Sequence, residues 1–524
     1  VWLVDIAIVP DSAMYLQRDS AKVDVVVHKD APCTETLVSL TGVVVTEAGE
    51  KVVFRESRSV KSGEAEVSAQ FLFEVPLANT AQYTLELVAK AQGCGESDQE
   101  KVSLPVLSSA KNLVNLVIVW HNHQPPNYTP SGRFFADHPF KWVWYNLFEP
   151  YASGGPYYVH ALIYKRFPKV KTTVHLSPSL LAQWAMCIEK GYALESGEVV
   201  TATDRRIELV KQTLEEYKSL ATQGIIEVMS SVYAHTILGY LLHKFDMVEV
   251  IRDELELGLQ ITRDVMGVEP HGVWTPEMAW HNKLIEIYSD LGVEYTVLCS
   301  KSHFARALGN KNSAYELYEA VYNGKALRIL FRDQVLSDMI GFRNNFVTSV
   351  EALKAALDTV LQIVSRRGLV TIALDGENWM IFSRYPRNTY PFFEQFYKYV
   401  SVLQEKGFIK STTGHEASKL CRDGCKKILY IPINSWVNGF HKWDGELDEQ
   451  RYMWTEVERV YHRLKLYKQV LGNSDKNIRE AYWAFYHAID SDYWWTEFWN
   501  PRVIKMWLGE VSKALDRAFT YLLS

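Results

Sequence analysis

Between residues 113 and 400 about seven short apolar runs alternate with longer segments of helical periodicity, and this alternation limits the fold more than any other feature. The runs fall at 114–120, 172–176, 225–229, 272–274, 295–299, 327–331 and 369–374. Helical patterns over 207–220, 247–266 and 350–366 lie among the segments between them. Parallel strands need crossovers of this kind, and strands covered by helices on both faces are apolar throughout. The pattern predicts an α/β fold of βα units around a parallel sheet.

The residues just past each run separate an open sheet from a closed one. The first run leads into His121-Asn122-His123-Gln124-Pro125 and the second into Ser177-Pro178. The third contains Glu227 and leads into Ser230-Ser231 and then His235. Thr275-Pro276-Glu277 ends the fourth, Arg332-Asp333 the sixth, and Asp375-Gly376-Glu377-Asn378-Trp379 the seventh. Ionisable residues therefore gather after many strands rather than at one switch point, the arrangement of a β/α barrel.

The flanks read differently. Residues 1–110 alternate in short runs (23–27, 42–45, 70–75, 83–88) with polar turns, which predicts an immunoglobulin-like β-sandwich serving as an accessory module. The barrel is expected over 113–410, and 411–524 is expected to be a mainly helical region contributing to the active-site cleft. Its helices are read at 450–471 and 503–522, and 428–433 as an edge strand because of Pro432. Three domains suit a chain of 524 residues.

A formal net charge of −6 argues against a nucleic-acid partner. No apolar run approaches the ~20 residues of a membrane helix. Residues Val1 to Asp5 show neither the basic nor the apolar region of a signal peptide. Only Cys421 and Cys425 of the six cysteines lie close in sequence, with no second pair at zinc-site spacing, so no structural metal is expected. A disulfide or two thiols both fit that pair, and both an extracellular and a cytoplasmic setting fit the chain. The 16 Trp and 29 Tyr serve large cores, but their flat faces also suit stacking on sugar rings. Asp490-Ser491-Asp492-Tyr493-Trp494-Trp495 sets carboxylates beside three aromatics, a composition for holding hydroxyls and a pyranose face.

Glycosidic cleavage needs one carboxyl to protonate the leaving oxygen and a second across the bond. Glu277 and Asp375 end different strands and can face each other over a barrel mouth. Trp274, Trp280 and Trp379 beside them would lower solvation and hold one carboxyl protonated. Singly, such acids also cap helices or pair with arginine; jointly they favour a site. His121 and His123 alternate and so share one side of a strand. They suit metal ligands, donors to sugar hydroxyls, or core histidines, and hydrogen bonding to substrate is favoured because no third and fourth ligand stand out.

In this order the motifs resemble glycoside hydrolase family 57. His121-Asn122-His123-Gln124-Pro125 is similar to its first motif, and Gly224-Ile225-Ile226-Glu227-Val228 to its second. Trp274-Thr275-Pro276-Glu277 is similar to the third, Leu374-Asp375-Gly376-Glu377-Asn378 to the fourth, and Trp436-Val437-Asn438-Gly439-Phe440-His441 to a divergent fifth. The adjoining Lys442-Trp443-Asp444-Gly445-Glu446 departs from the family pattern. The resemblance implies a seven-stranded β/α barrel, a retaining mechanism without metal or cofactor, and an α-glucan substrate. It implies Glu277 as nucleophile and Asp375 as acid/base, with carboxyls about 5–5.5 Å apart. It further implies Glu227, His121 and His123 around the sugar at the cleavage point. Substrate contacts are also expected from Gln124, His235, Trp274, Arg332, Asp333, Glu377, Trp379, Trp436, His441, Asp492, Trp494 and Trp495.

The stretch from Phe331 to Phe342 with the 492–495 tract is most similar to amylopullulanase-like members, which cleave α-1,4 and α-1,6 bonds in starch, pullulan and related oligosaccharides. The rival readings are a 4-α-glucanotransferase or branching enzyme using the same pair, a metal-dependent barrel of deacetylase type, and an inert glucan-binding protein.

Overall fold

The computed structural model describes residues 4–31, 33–93, 95–421 and 424–524. The reading of the first three residues lies outside these. Six strands carry the central part: β1 (Val114–Asn122), β2 (Thr172–Leu176), β3 (Ile226–Met229), β4 (Tyr295–Cys299), β5 (Lys325–Arg332) and β6 (Gly368–Asp375). They pair in parallel in the order β3-β2-β1-β6-β5-β4. Parallel bridges from Gly272 to Tyr295 and from Val273 to Ser230 then lead from β4 back to β3. The expected run at 272–274 is thus present as two bridges rather than a full strand, since Pro276 lacks the N–H that would extend the ladder.

The uninterrupted apolar run of β1 divides by alternation. Leu116, Ile118 and Trp120 belong to a core shared with the helices Ser349–Arg366 and Thr389–Glu405. Val117 and Val119 belong to another, with Met229, Val273, Val297 and Ala373 from the neighbouring strands. The two faces are both dry, which is why the run lacks the polar alternation of a half-exposed strand. Trp120 is fully buried, stacks on Trp379 at 5.9 Å and donates from Nε1 to Tyr397. Truncating it to Ala would cost roughly 3–5 kcal/mol.

Helices at Arg205–Thr222, Val248–Met266 and Ser349–Arg366 agree with the sequence periodicity. The N-terminal residues form two antiparallel-dominated sheets. One has three strands (Val4–Pro10, Ser20–Lys29, Glu66–Glu74) and the other five (Tyr15–Leu16, Glu35–Thr46, Gly49–Lys61, Gln82–Gly93, Glu96–Leu107). They face each other through Val23, Val25, Leu40 and Leu85 and rest on the helix Ser349–Arg366, where Lys354 pairs with Asp5 and Glu100.

The C-terminal helices are Asp448–Leu471, Lys476–Ala488 and Pro501–Leu523. The strand read at 428–433 appears as Lys426–Tyr430 and joins Tyr318–Tyr322, beyond the β5 hairpin. Cys421 and Cys425 are disulfide-bonded. Among the described residues no helix is long and apolar enough to cross a membrane.

Candidate active site

The inward alternation of β1 turns polar at its last position. Asp375 of β6, His121 of β1 and His175 of β2 stand in one cross-strand register. His121 and His175 approach through their Nδ1 atoms at 2.6 Å, so the two rings share one proton there. His121 Nε2 lies 3.9 Å from an Asp375 carboxylate oxygen. Trp274 stacks on His121 at 4.5 Å, and His235 on His123 at 4.1 Å. Burial, reinforced by neighbouring imidazoles, holds His121, His175 and His235 well below their usual range and therefore neutral.

Glu277 comes after the 272–274 segment in a single 3₁₀ turn, Pro276–Met278. Its φ is 58° and that of Met278 is 47°, two successive non-glycine residues in the left-handed region. His235 (48°) and Asn438 (60°) share the same conformation nearby. Each such residue costs of order 1 kcal/mol or more and persists only where surroundings impose it. Here Trp436 imposes it. Its backbone N–H donates to the Glu277 carbonyl (3.2 Å) and its Nε1 to Glu277 Oε2 (2.8 Å). The Ser491 hydroxyl donates to Glu277 Oε1 (3.2 Å) and meets His235 Nδ1 at 2.8 Å. His235 is fixed from behind, because the Glu254 carboxyl accepts the Ala234 N–H and the Thr236 hydroxyl.

Burial pushes the Glu277 carboxyl up to about 8, with the charges of Asp492 and Asp375 adding and the Trp436 and Ser491 hydrogen bonds opposing. Asp375 is also raised, by its enclosure first and by Asp492, against an Asn378 amide that donates to Oδ2 at 2.9 Å and the positive Arg332. Its side chain nonetheless keeps 47% of its surface open, whereas that of Glu277 keeps 15%. Burial works against charge on Asp492, but the His123 imidazole at 2.5 Å outweighs it and holds this carboxyl well below its usual range. Asp490 behind it moves the other way, raised by burial and by the Asp492 charge. Gly376 is dictated by close approach, since a Cβ there would fall 1.9 Å from Asn122 Oδ1.

About half of the residues singled out by sequence meet here. His121, His123, His235, Glu277, Asp375, Trp436 and Asp492 form one cluster joined by ring contacts, hydrogen bonds and close charged approaches. Trp495 lies parallel to Trp436 at 5.8 Å, and Phe342 stacks on Trp436 at 6.1 Å. Trp274 and Glu377 support rather than line it: Trp274 backs His121, and the buried Glu377 accepts the His123 N–H. Arg332 is buried beneath Asp375, bound to the Ala373 carbonyl and Asp338. Gln124 is tied into its own loop by Asn127.

Five expected contacts fall elsewhere. Glu227 points inward one register row below His175, where it accepts from Tyr295 Oη (2.6 Å) and the His415 N–H (2.7 Å). Asp333 caps the helix Gln334–Phe342 and binds Tyr315 and Arg366, so its carboxylate is spent on structure. Trp379 is a core residue between Trp120 and Phe392. Trp494 is fully buried on Trp454 at 3.8 Å. The exposed His441 lies 3.9 Å from Glu446 and holds nothing at the cleft floor.

Sequence reasoning missed His175, Ser491 and Asn378. The polar interruption of an otherwise apolar run marks His175, and Ser491 lies inside the acidic–aromatic tract of 490–495. His123, His235 and Asp492 place ligand atoms within 4.8 Å of one another, so they are the cleft residues able to hold a cation.

Residues 117–432 match the family model described as Glycosyl hydrolase family 57, which spans more than half of the chain. The chain belongs to this family. No match is found among curated protein sequences. Among solved structures the fold is similar to the 4-alpha-glucanotransferase of Thermococcus litoralis, with a TM-score of 0.55 and 18% identity over 77% of this chain. The chain covers 60% of that protein's length. It is likewise similar to the GH57-type branching enzyme of Pyrococcus horikoshii (TM-score 0.56, 15% identity, 78% of this chain and 91% of that one). A third likeness is to the alpha-amylase AmyC of Thermotoga maritima (0.54, 12%, 79% and 94%). At these identities the likeness is one of fold.

Proposed function

We propose that this chain is a retaining α-glucan-active enzyme in which Glu277 is the nucleophile and Asp375 the acid/base, set in a (β/α)7 barrel. The sandwich of residues 1–110 and the helical region of 411–524 flank that barrel in this reading. The observation that carries it is the grip on Glu277: one donor on each carboxylate oxygen and a left-handed backbone clasped by Trp436, within the electrostatic reach of a half-open Asp375. The Trp436 and Ser491 hydrogen bonds oppose the burial that raises Glu277 and are aimed at the ionised carboxylate that attack requires. Asp375, with a single donor and an open face, suits proton traffic with a leaving oxygen and then with an incoming hydroxyl.

In the first step a Glu277 oxygen bonds to the anomeric carbon as the glycosidic C–O bond breaks, and the Asp375 proton goes to the departing sugar oxygen. In the second, Asp375 takes a proton from water, whose oxygen replaces Glu277 at that carbon. His121, His123 and His235 stand where sugar hydroxyls would be held, and an imidazole nitrogen that carries a proton donates while one without accepts.

Hydrolysis of α-1,4 and α-1,6 bonds, as in amylopullulanase-like members, is the reading adopted. Transfer to a sugar hydroxyl is the second reading, favoured by the Phe342–Trp436–Trp495 row, whose flat faces would seat an acceptor sugar beside Glu277. The roles are tested with Glu277→Ala and Asp375→Ala and an activated glucoside in azide. Rescue of Glu277→Ala with inverted anomeric configuration, and of Asp375→Ala with retention, is expected; the opposite pairing overturns the assignment. Product analysis on maltooligosaccharides and pullulan separates water from sugar as acceptor. Full activity after exhaustive chelation is expected, and loss of activity would favour a cation on His123, His235 and Asp492.

A further inference from the structure

The N-terminal end of the strand ring carries a second convergence of ligating groups. His271 directly precedes the 272–274 segment, Glu294 directly precedes β4, and His415 sits in the one-turn helix Gly414–Ala417 just past the strand Ile409–Ser411. His271 Nδ1 and His415 Nε2 approach the same Glu294 oxygen, Oε2, at 2.9 and 2.7 Å. The two imidazoles face each other with centroids 3.7 Å apart and planes 3° from parallel. His415 Nε2 is buried and out of line for a hydrogen bond despite that short distance. All three ligand atoms lie within 4.8 Å of one another.

We propose that His271, Glu294 and His415 form a binding site for a zinc-class divalent cation. Two imidazole nitrogens and one carboxylate suit borderline cations and not magnesium or calcium, which take oxygen ligands. Metal–ligand bonds of about 2.0–2.2 Å in a tetrahedron set ligand atoms about 3.3 Å apart. The two approaches to Glu294 would open by about half an ångström, and the stacked imidazoles, whose in-plane lone pairs run parallel, would rotate to converge on one ion. Side-chain exposures of 40% for His271 and 46% for Glu294 leave a fourth position to water.

The surroundings hold the donors in place from behind. Glu227 accepts the His415 N–H at 2.7 Å and the Tyr295 hydroxyl at 2.6 Å. The Gly414 N–H donates to Thr173 Oγ1 at 2.8 Å, and a Cβ on Gly414 would fall 2.4 Å from Tyr295 Oη, so the segment lies directly on the strand ends. A bound cation staples the segment 409–417 to the starts of two ring strands that precede it by more than a hundred residues. That function is mechanical. It is independent of the chemistry proposed for the cleft.

The test uses the full chain, freed of metal by chelation and titrated with zinc chloride by calorimetry. Wild type, His271→Gln/His415→Gln, Glu294→Gln and His235→Gln/Asp492→Asn are compared. One equivalent is expected to be lost in the first double variant, weakened in Glu294→Gln and retained in His235→Gln/Asp492→Asn. Zinc is expected to raise the wild-type melting temperature by at least about 2 °C. His271→Gln/His415→Gln should lose this gain while keeping glucan cleavage in chelator unchanged. Undiminished binding in His271→Gln/His415→Gln, or loss confined to the cleft variant, overturns the proposal. If the double variant does not fold, Glu294→Gln and the wild-type cobalt spectrum decide: no tetrahedral d–d absorption and unaltered affinity in Glu294→Gln also overturn it.

Discussion

The two ends of the strand ring are furnished with the same residue types and use them in opposite ways. At the C-terminal end Glu277, Asp375 and Asp492 stand among four imidazoles, on backbone strained at His235, Glu277 and Met278, and Asp375 keeps half its surface open. At the N-terminal end Glu227 is saturated by a phenol and a backbone N–H on relaxed strand, and Glu294 sits at the edge of two stacked imidazoles, one oxygen approached by a nitrogen of each. A carboxylate beside histidines is therefore not by itself a catalytic signature. Strain, an unshared open face and donors aimed at the charged form distinguish the end suited to bond cleavage from the end suited to holding the chain together.

The largest expected effect that would sharpen this contrast is at the cleft carboxyls. Glu277→Gln and Asp375→Asn should each lower kcat on starch or pullulan by at least about a thousandfold without loss of fold, read by initial rates and circular dichroism. Near-wild-type turnover in either would break the contrast. Next, Trp436→Phe removes the Nε1 donor while keeping the aromatic face. A fall in kcat of about ten- to a hundredfold with KM changed less is expected, because the lost donor steadies the attacking carboxylate more than the bound sugar.

The third effect is on pH. Glu277 and Glu254 are pushed up to about 8 and Glu227 to about 7, each mainly by burial, from an ordinary value of 4.5. Between roughly 4.5 and 8 the folded chain therefore binds more protons at these groups than the unfolded one, and their contribution to stability declines as pH rises through that window. The buried neutral histidines push the other way, so the difference between proteins is the test: the gain in melting temperature of Glu277→Gln over wild type should be larger at pH 8 than at pH 5. An equal slope in both proteins would show that Glu277 is not perturbed. The smallest effect on turnover is expected from Glu227→Gln, within about twofold in kcat, because this side chain serves Tyr295 and His415. A hundredfold loss there would place Glu227 in the cleft after all.

Much of the molecule is legible in its sequence because parallel strands translate directly into pattern. An apolar run ending in a polar residue predicts a side chain at a strand's C-terminal end, and Glu277, Asp375, His121 and His123 are found that way. The same logic misplaces Asp333 and Trp379, since a residue just past a strand can turn outward to cap a helix or fill the helix–strand core. Glu227 is misplaced for another reason: a short strand has two ends, and its pattern alone does not say which one a polar residue serves. Trp436 and Ser491 lie 159 and 214 residues from Glu277, and no local spacing announces such pairings. For the same reason the His271–Glu294–His415 group, drawn from three separate connections, leaves no trace at metal-motif spacing.

The clasp on Glu277 has a consequence for synthesis. The family match ends at residue 432, yet both side chains that hold the carboxylate, Trp436 and Ser491, come after it. A nascent chain that has completed every ring strand still has no partner for either oxygen of Glu277. The left-handed turn at Glu277–Met278 gains its reinforcement only once the segments carrying Trp436 and Ser491 dock, so the grip on this carboxyl forms after the scaffold that presents it.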